Sequence, residues 1–192
     1  MNSFISFHWL STWGVIKAAG LTSYLLIWAS IVLGAFSYGA TVPVKVRKIL
    51  LPTHQFAGWL GFIFGLLHGA VLMIDTYQPF LLSEILIPFT AEYKPVATGF
   101  GTLALYMIVA ILISSDMIKK LGKKVWRSVH LFSYPLFFFS LIHGLGDGSD
   151  SGKTWAFQIY AWSLIIFVAI VLYRVYIEKK VSRKPVGVKK NA

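Results

Sequence analysis

Long apolar stretches alternate with short polar segments along this chain. A helix needs about 20 apolar residues to cross the ~30 Å hydrocarbon core of a bilayer, and it satisfies its own backbone hydrogen bonds there. Five stretches without a charged residue approach or exceed that length: 18–44, 49–74, 95–115, 128–146 and 154–173. A shorter apolar run at 81–89, interrupted by Glu84 and Pro88, is too short to span and is expected at the membrane interface. The pattern predicts an all-α integral membrane protein, a bundle of five transmembrane helices.

Basic residues are distributed unevenly between these stretches. The segments after the first, third and fifth stretch hold 15 of the 18 Lys and Arg residues. Cytoplasmic loops carry such an excess, so we predict a multi-pass protein of the cell membrane with its N-terminus outside and its C-terminus inside. The predicted division is an outer segment 1–17, a transmembrane domain 18–178 and a basic cytoplasmic tail 179–192, which either contacts anionic lipid or an acidic partner or is simply solvated.

Composition agrees with this class and narrows the chemistry. Only 13% of the residues are charged and the mean hydropathy is +0.70, whereas soluble domains average about 25% charged residues. The net charge of +11 follows the membrane pattern, so no nucleic-acid binding is predicted. There is no cysteine, which excludes disulfides, thiolate-ligated haem and cysteine-held clusters. The first residues lack the basic segment of a secretory signal, and no cleaved leader is expected.

Four histidines lie inside the apolar stretches, where an ionisable side chain is costly and therefore marks a functional site. His54 and His68 are 14 residues apart in the second stretch, and His130 and His143 are 13 apart in the fourth. At 1.5 Å per residue each pair spans roughly 20 Å of the membrane. Since both stretches run outward from the basic side, we predict one metal centre per face: His54 with His130 near the inner face, and His68 with His143 near the outer face.

Two imidazoles per level, with no open coordination position, favour bis-histidine haem and electron transfer. The cofactor expected is haem b, two per chain. Zinc is an alternative metal, but structural zinc needs four ligands in one place and these histidines are split between two levels. A haem-free scaffold or transporter, in which the histidines form a proton relay, is a third interpretation.

Other residues near the histidines are candidates for cofactor binding. His54, Gly58, Gly61, Gly65 and His68 fall within a helical stripe about 80° wide, which leaves space for a porphyrin. Close packing between membrane helices explains the same glycines, so this alternative stays open.

The 13-residue step in the fourth stretch places its histidines about 140° apart on an ideal helix, so we predict a bend near Pro135. Arg127 is a candidate partner for a haem propionate, although an ordinary basic loop explains it too. Asp147 and Asp150 flank the outer end, where they either attract a cation such as ferric iron or belong to a solvated turn. His8 is expected to be an ordinary interfacial histidine.

These residues resemble the ferric reductase-like transmembrane domain. The resemblance rests on the four histidines at both spacings, in order and at matching depth, and on the segment from Lys17 to Trp28, KAAGLTSYLLIW. It covers about 18–178. The superfamily includes the haem-binding part of NADPH oxidases, fungal ferric reductases and the membrane haem subunit of a bacterial periplasmic methionine sulfoxide reductase. It implies two b-type haems, held by the four matching histidines, that pass electrons outward.

Two departures from the family pattern shape the functional prediction. Many members have six spans, and their reductases usually continue into a domain that binds FAD and NAD(P)H; no glycine-rich dinucleotide motif occurs here. The electron donor is therefore expected to be a separate flavoprotein or a quinol. The expected acceptor lies outside, either a ferric chelate, which would make the chain a reductase component, or a partner reductase that this chain anchors and supplies.

Overall fold

The computed structural model describes residues 11–37 and 42–182, and the regular elements in these ranges are helices. The N-terminal segment predicted to lie outside and the basic tail fall largely beyond the described residues, as does His8. The helices are α1 (Thr12–Ser37), α2 (Val44–Ile74), α3 (Leu82–Leu86), α4 (Pro95–Asp116), α5 (Ile118–His130), α6 (Ser133–Asp147) and α7 (Thr154–Ser182).

Helices α1, α2, α4 and α7 are each long and apolar enough to cross a membrane. Helices α5 and α6 pass the same test only together, as one broken span bent by 44°. Counting the broken span gives the five spans predicted, and the all-helical membrane architecture is confirmed. The orientation relative to the two sides of the membrane stays a prediction.

The bend expected near Pro135 is present and has a local cause. Helix α5 ends at His130 and α6 begins at Ser133, so Pro135 is the third residue of α6. A proline ring clashes with the carbonyl four residues earlier, but in the first turn of a helix its missing N–H is not needed. The fourth span is consequently two helices, with His130 on one and His143 on the other.

A second irregularity lies inside α5. Gly122 has φ 79° and ψ 158°, a conformation that side-chain-bearing residues rarely adopt, and space around its Cα is open. The helix therefore changes direction at this glycine, before the turn that carries Trp126 and His130.

Helix ends extend beyond the apolar stretches that predicted them. Helix α1 begins at Thr12 rather than at residue 18, and α2 begins at Val44 and includes Lys45 and Arg47 in its first turns. Long basic side chains bury their aliphatic stems and reach the headgroup region, so charge marks the limit of the hydrocarbon layer and not the end of a helix.

Helices α1 and α2 are antiparallel neighbours joined by polar contacts. Ser23 Oγ donates a hydrogen bond to the Gly61 carbonyl at 2.7 Å. At the end of the pair, the Asp75 carboxylate accepts hydrogen bonds from the Thr12 hydroxyl and from the backbone N–H of Gln78, which lower the pKa of Asp75 below its usual value. The loop after α2 is thereby attached to the start of α1.

Two apolar clusters join the remaining helices. One links α1, α4 and α6 through residues that include Ile27, Ile108 and Leu136. The other links α1, α6 and α7, and at its centre the rings of Phe137 and Phe167 stack with centroids 4.2 Å apart. Phe137 is 1% exposed, the most deeply buried large side chain described. This cluster attaches α7 to α1 and to α6, the helix that carries His143.

Replacing Phe137 with alanine should destabilise the bundle by about 3–5 kcal/mol, because the ring leaves a cavity that packed helices fill only partly. Reversible unfolding in detergent, followed by circular dichroism, measures this loss. Phe157→Ala is the matched control, since Phe157 is 60% exposed and its truncation should cost less than about 1 kcal/mol. Equal losses in both variants would contradict the placement of Phe137 at the packing centre.

Candidate functional site

The four histidines of the membrane stretches meet in two pairs. The ring centroids of His54 on α2 and His130 on α5 are 6.0 Å apart, with the ring planes at 68°. Those of His68 on α2 and His143 on α6 are also 6.0 Å apart, with the planes at 76°. The structure therefore brings together the same partners that the sequence paired by depth.

The separation within each pair matches what one shared metal requires. An imidazole nitrogen binds a metal at about 2 Å, so two imidazoles on opposite sides of one metal have ring centres about 6 Å apart. Edge-on aromatic pairs also adopt centroid distances of about 4.5–7 Å. The distance alone does not distinguish a metal-binding pair from an ordinary aromatic contact, so the hydrogen bonds of the rings are needed as well.

Three of the four rings bind a backbone carbonyl through Nδ1. His54 Nδ1 donates to the Ser30 carbonyl at 2.7 Å, His68 Nδ1 to that of Ile16 at 2.9 Å, and His143 Nδ1 to that of Ala97 at 3.0 Å. A carbonyl only accepts, so Nδ1 carries the proton and Nε2 of the neutral ring keeps its lone pair. This is the arrangement by which proteins orient a metal-ligating histidine.

His130 differs from the other three. Its Nδ1 is buried without a hydrogen-bond partner among the residues described, and the Trp126 ring lies over it at 4.9 Å between centroids. The tilted Trp126 ring on the same helix contacts this imidazole, where the other three have a carbonyl of a neighbouring helix. The inner pair is thus less symmetrically supported than the outer pair.

Glycines on neighbouring helices make the close approach of these rings possible. A Cβ on Gly34 would lie 2.9 Å from His54 Cε1, one on Gly20 3.0 Å from His68 Nδ1, and one on Gly101 2.8 Å from His143 Nδ1. None of these three glycines was predicted from the sequence. One signal was available: Gly20 and Gly34 are 14 positions apart, as are His54 and His68 on the next helix.

The glycines singled out from the sequence have a different main contact. A Cβ on Gly58, Gly61 or Gly65 would meet α1, at 3.2 Å from Ser30 Oγ, 2.9 Å from Ile27 Cγ1 and 3.2 Å from Ser23 Oγ, respectively. All three therefore serve close packing between α1 and α2, the alternative that the sequence left open. Gly61 and Gly65 also line the cavity of the outer histidine pair, whereas Gly58 does not.

A cavity of about 650 Å³ contains the outer pair. This volume lies within the ~300–1,000 Å³ typical of cofactor and ligand sites. His68 and His143 are on its wall, together with glycines from α1, α2 and α4 and apolar side chains such as Leu105 and Ile108. The absence of side chains at those glycines creates flat wall surfaces next to the rings. A broad planar cofactor fits such a space.

Charged groups stand at the outer end of this cavity. Asp150 forms ion pairs with Lys17 at 3.1 Å and with Lys153 at 2.8 Å. Hydrogen bonds from Lys153 and then Lys17 lower the pKa of the Asp150 carboxyl. Two lysines neutralise this carboxylate, so Asp150 belongs to a cross-linked turn and is not a free site for a cation.

Arg127 lies one helical turn before His130 on α5 with an exposed side chain. Its role as a propionate partner stays a prediction. Within the described ranges no three His, Cys, Asp or Glu side chains come together in a way that holds a metal. The zinc alternative therefore lacks a ligand set there, whereas haem brings four nitrogens of its own and needs only two from the protein.

The geometry agrees with a comparison against protein-family models. The model described as the ferric reductase like transmembrane component matches residues 19–141. The chain belongs to this family. The matched range includes His54, His68 and His130 and ends just before His143. Comparisons with curated proteins and with solved structures gave no match. Ferric reductase-like transmembrane domains generally bind haem, and they are membrane components of electron transfer.

The glycine behind His54 supplies a direct test of the site. In Gly34→Ala the new Cβ would lie 2.9 Å from the imidazole, so the ring must shift and we expect weaker binding of one haem. Pyridine hemochrome analysis of the purified protein measures haem per chain. Gly152→Ala is the matched control, because no described atom lies within 4 Å of its added Cβ and Gly152 is not on the cavity wall. Identical haem content in the two variants would refute this role for Gly34.

Proposed function

We propose that this protein is a transmembrane di-haem cytochrome b that transfers electrons from a cytoplasmic or membrane donor to an acceptor outside. His54 and His130 hold the inner haem, and His68 and His143 hold the outer haem. When bound, haem supplies reversible one-electron reduction of iron, which no side chain of this protein provides. The protein contributes the ligands, their orientation and a site shielded from water.

One observation carries the proposal: two imidazole pairs at the same 6.0 Å separation, at two depths of the same bundle. In three of the four rings a backbone carbonyl binds Nδ1 and leaves Nε2 for a metal. A chance contact between aromatic rings does not require that the proton lie on Nδ1 and the lone pair on Nε2. Two independent pairs with the same spacing favour a repeated ligand of one kind.

The proton-relay alternative fits less well. His54 and His68 are 14 residues apart on one helix, which separates them by roughly 20 Å. Protons pass between groups within hydrogen-bond distance, about 3 Å, so the two levels need a chain of further polar groups between them. Glycines and apolar residues occupy most of the intervening face of α2. Electron transfer between cofactors tolerates such a gap better than proton transfer does.

The arrangement of charge supports the orientation that this proposal requires. The basic first turns of α2 and the lysine-rich α5 lie at the end of the bundle that holds His54 and His130. Lys17, Asp75 and Asp150 lie at the end that holds His68 and His143. The basic end is cytoplasmic by the positive-inside rule, so the inner pair faces the donor.

The remaining cofactor contacts follow from this placement. Gly61 and Gly65 leave room on the cavity wall for the outer porphyrin, Gly58 continues the same stripe toward the inner one, and Arg127 pairs with a propionate of the inner haem. The donor is a separate flavoprotein or a quinol. The acceptor is a ferric chelate or a partner reductase that the chain anchors.

Single-ligand variants test the pairing. The parent protein should bind two haems, and His68→Ala or His143→Ala should bind one, because the outer site loses a ligand while the inner site keeps both. His54→Ala and His130→Ala should likewise retain only the outer haem. Haem stoichiometry and the reduced absorption spectrum measure this. His8→Ala, at the one histidine of the sequence outside the two pairs, is the control and should keep both haems.

Two haems in any variant of the four paired histidines would contradict the assignment, and a parent without haem after reconstitution would end it. Ferric citrate added after the haems have been reduced and the excess reductant removed by gel filtration separates the two acceptor classes, because the haems are then the only source of electrons. Rapid reduction identifies a ferric reductase component. A fully reducible spectrum without ferric citrate reduction identifies a relay to a partner protein.

A further inference from the structure

The outer histidine pair has a carboxylate beside it that the inner pair lacks within the described residues. Asp147 follows His143 by one turn of α6, and its Oδ2 lies 3.4 Å from His143 Nδ1. The Thr98 hydroxyl on α4 donates to the same Oδ2 at 2.9 Å. The contacts of His54 Nδ1, by comparison, are the neutral carbonyl and hydroxyl of Ser30.

The Asp147 carboxylate is held in an otherwise unfavourable state. Its Oδ1 is buried and has no hydrogen-bond partner in the part of the chain that the structure describes. Leaving a buried carboxylate oxygen unpaired costs free energy. Asp147 is also the last residue of α6, where the negative end of the helix dipole disfavours an acidic side chain. Stabilisation of the fold therefore does not explain why position 147 carries an aspartate.

Asp150, in the turn that follows α6, is an aspartate whose contacts are purely structural. Both of its oxygens pair with lysines, Oδ2 with Lys17 and Oδ1 with Lys153. In the described ranges the Asp147 carboxylate lies beside the His143 imidazole and the Thr98 hydroxyl instead. Its negative charge is consequently directed at the imidazole and at the cavity wall, of which Asp147 is part.

We propose that Asp147 is a positioning residue that sets the potential of the outer haem through His143. The inference rests on the proposed function. The His143 Nδ1–H donates to the Ala97 carbonyl at 3.0 Å, and the Asp147 carboxylate lies 3.4 Å from the same nitrogen. A negative charge at Nδ1 makes the imidazole a stronger donor and stabilises the more positive ferric state, so the outer haem has a lower potential than it would without Asp147.

The inner pair has the opposite character. His130 Nδ1 is buried with no hydrogen-bond acceptor among the described residues, which leaves that imidazole a weaker donor. The two levels of the bundle therefore differ in the electronics of their ligands, although their ring separations are the same. These two ligand contacts favour a lower potential at the level that faces the external acceptor.

The test is a redox titration of the purified di-haem protein and its Asp147→Asn variant, followed in the visible spectrum. The amide keeps the shape and the Thr98 contact but removes the charge. We expect the outer component to become easier to reduce, with a roughly tenfold higher ratio of reduced to oxidised haem at a fixed potential, which for one electron equals about 59 mV. Titration in the His54→Ala background, which retains only the outer haem, assigns the component.

Two further variants complete the design. Asp150→Asn removes a carboxylate from the same turn and should leave both components unchanged. Asp147→Glu keeps the charge and should stay closer to the parent than Asp147→Asn does. An unshifted outer component in Asp147→Asn, a shift of the inner component instead, or an equal shift in Asp150→Asn would overturn the inference.

Loss of the outer haem in Asp147→Asn would also overturn it, because the role would then be in binding and not in setting a potential. These results are distinguishable from a failure of the proposed function. A parent protein that binds no haem refutes the di-haem cytochrome itself. A parent with two haems whose potentials ignore Asp147 refutes only this inference.

Discussion

The hydrogen bond from an imidazole Nδ1 to a backbone carbonyl of the adjacent helix is the interaction on which this bundle depends. In a membrane an unpaired N–H is costly, and the helix that carries the histidine has already used its own carbonyls. The acceptor must therefore come from a neighbour at very short range. Gly20, Gly34 and Gly101 allow that range, because any Cβ at these positions would collide with the ring. The same contacts therefore pack the helices together and orient the histidine rings.

This requirement explains how the helices are arranged. Helix α1 supports both histidines of α2, and α4 supports His143 of α6. The two helix pairs then face each other across the cavity, and α7 is attached through the stacked Phe137 and Phe167 rings. A site built in this way is rigid without any charged ligand contact. The protein orients most of these paired imidazoles through backbone groups, and the Asp147 carboxylate beside His143 stands out for that reason among the residues described.

The break in the fourth span has a role in the same geometry. On an unbroken helix, residues 13 apart point in directions about 140° different, which would turn one histidine away from α2. The 44° bend between α5 and α6 removes this conflict, and both rings reach their partners at the same distance. Pro135 favours a break at this point, because in a helix interior it would lose a backbone hydrogen bond and its ring would clash with the carbonyl four residues earlier. Because of the bend, a 13-residue spacing that does not suit a straight helix still gives two pairs with the same ring separation.

Much of this protein is readable from its sequence. Hydropathy located the membrane-spanning segments, and equal depth paired His54 with His130 and His68 with His143, since rise along a helix is nearly invariant. Pro135 predicted the bend, because the proline ring disturbs a helix whatever the tertiary structure around it. The helix ends were less well predicted, because Lys45 and Arg47 interrupt an apolar stretch without ending a helix.

Which helix lies behind each histidine was decided only by tertiary structure. Gly58, Gly61 and Gly65 share a stripe with His54 and His68, yet they pack on Ser30, Ile27 and Ser23 of α1, while Gly20 and Gly34 on α1 approach the rings. Asp147 and Asp150 look alike in the sequence, but one lies beside an imidazole and the other between two lysines. Periodicity reports which residues share a face. It carries no information on the neighbour that this face meets, since that contact depends on the joint packing of all the helices.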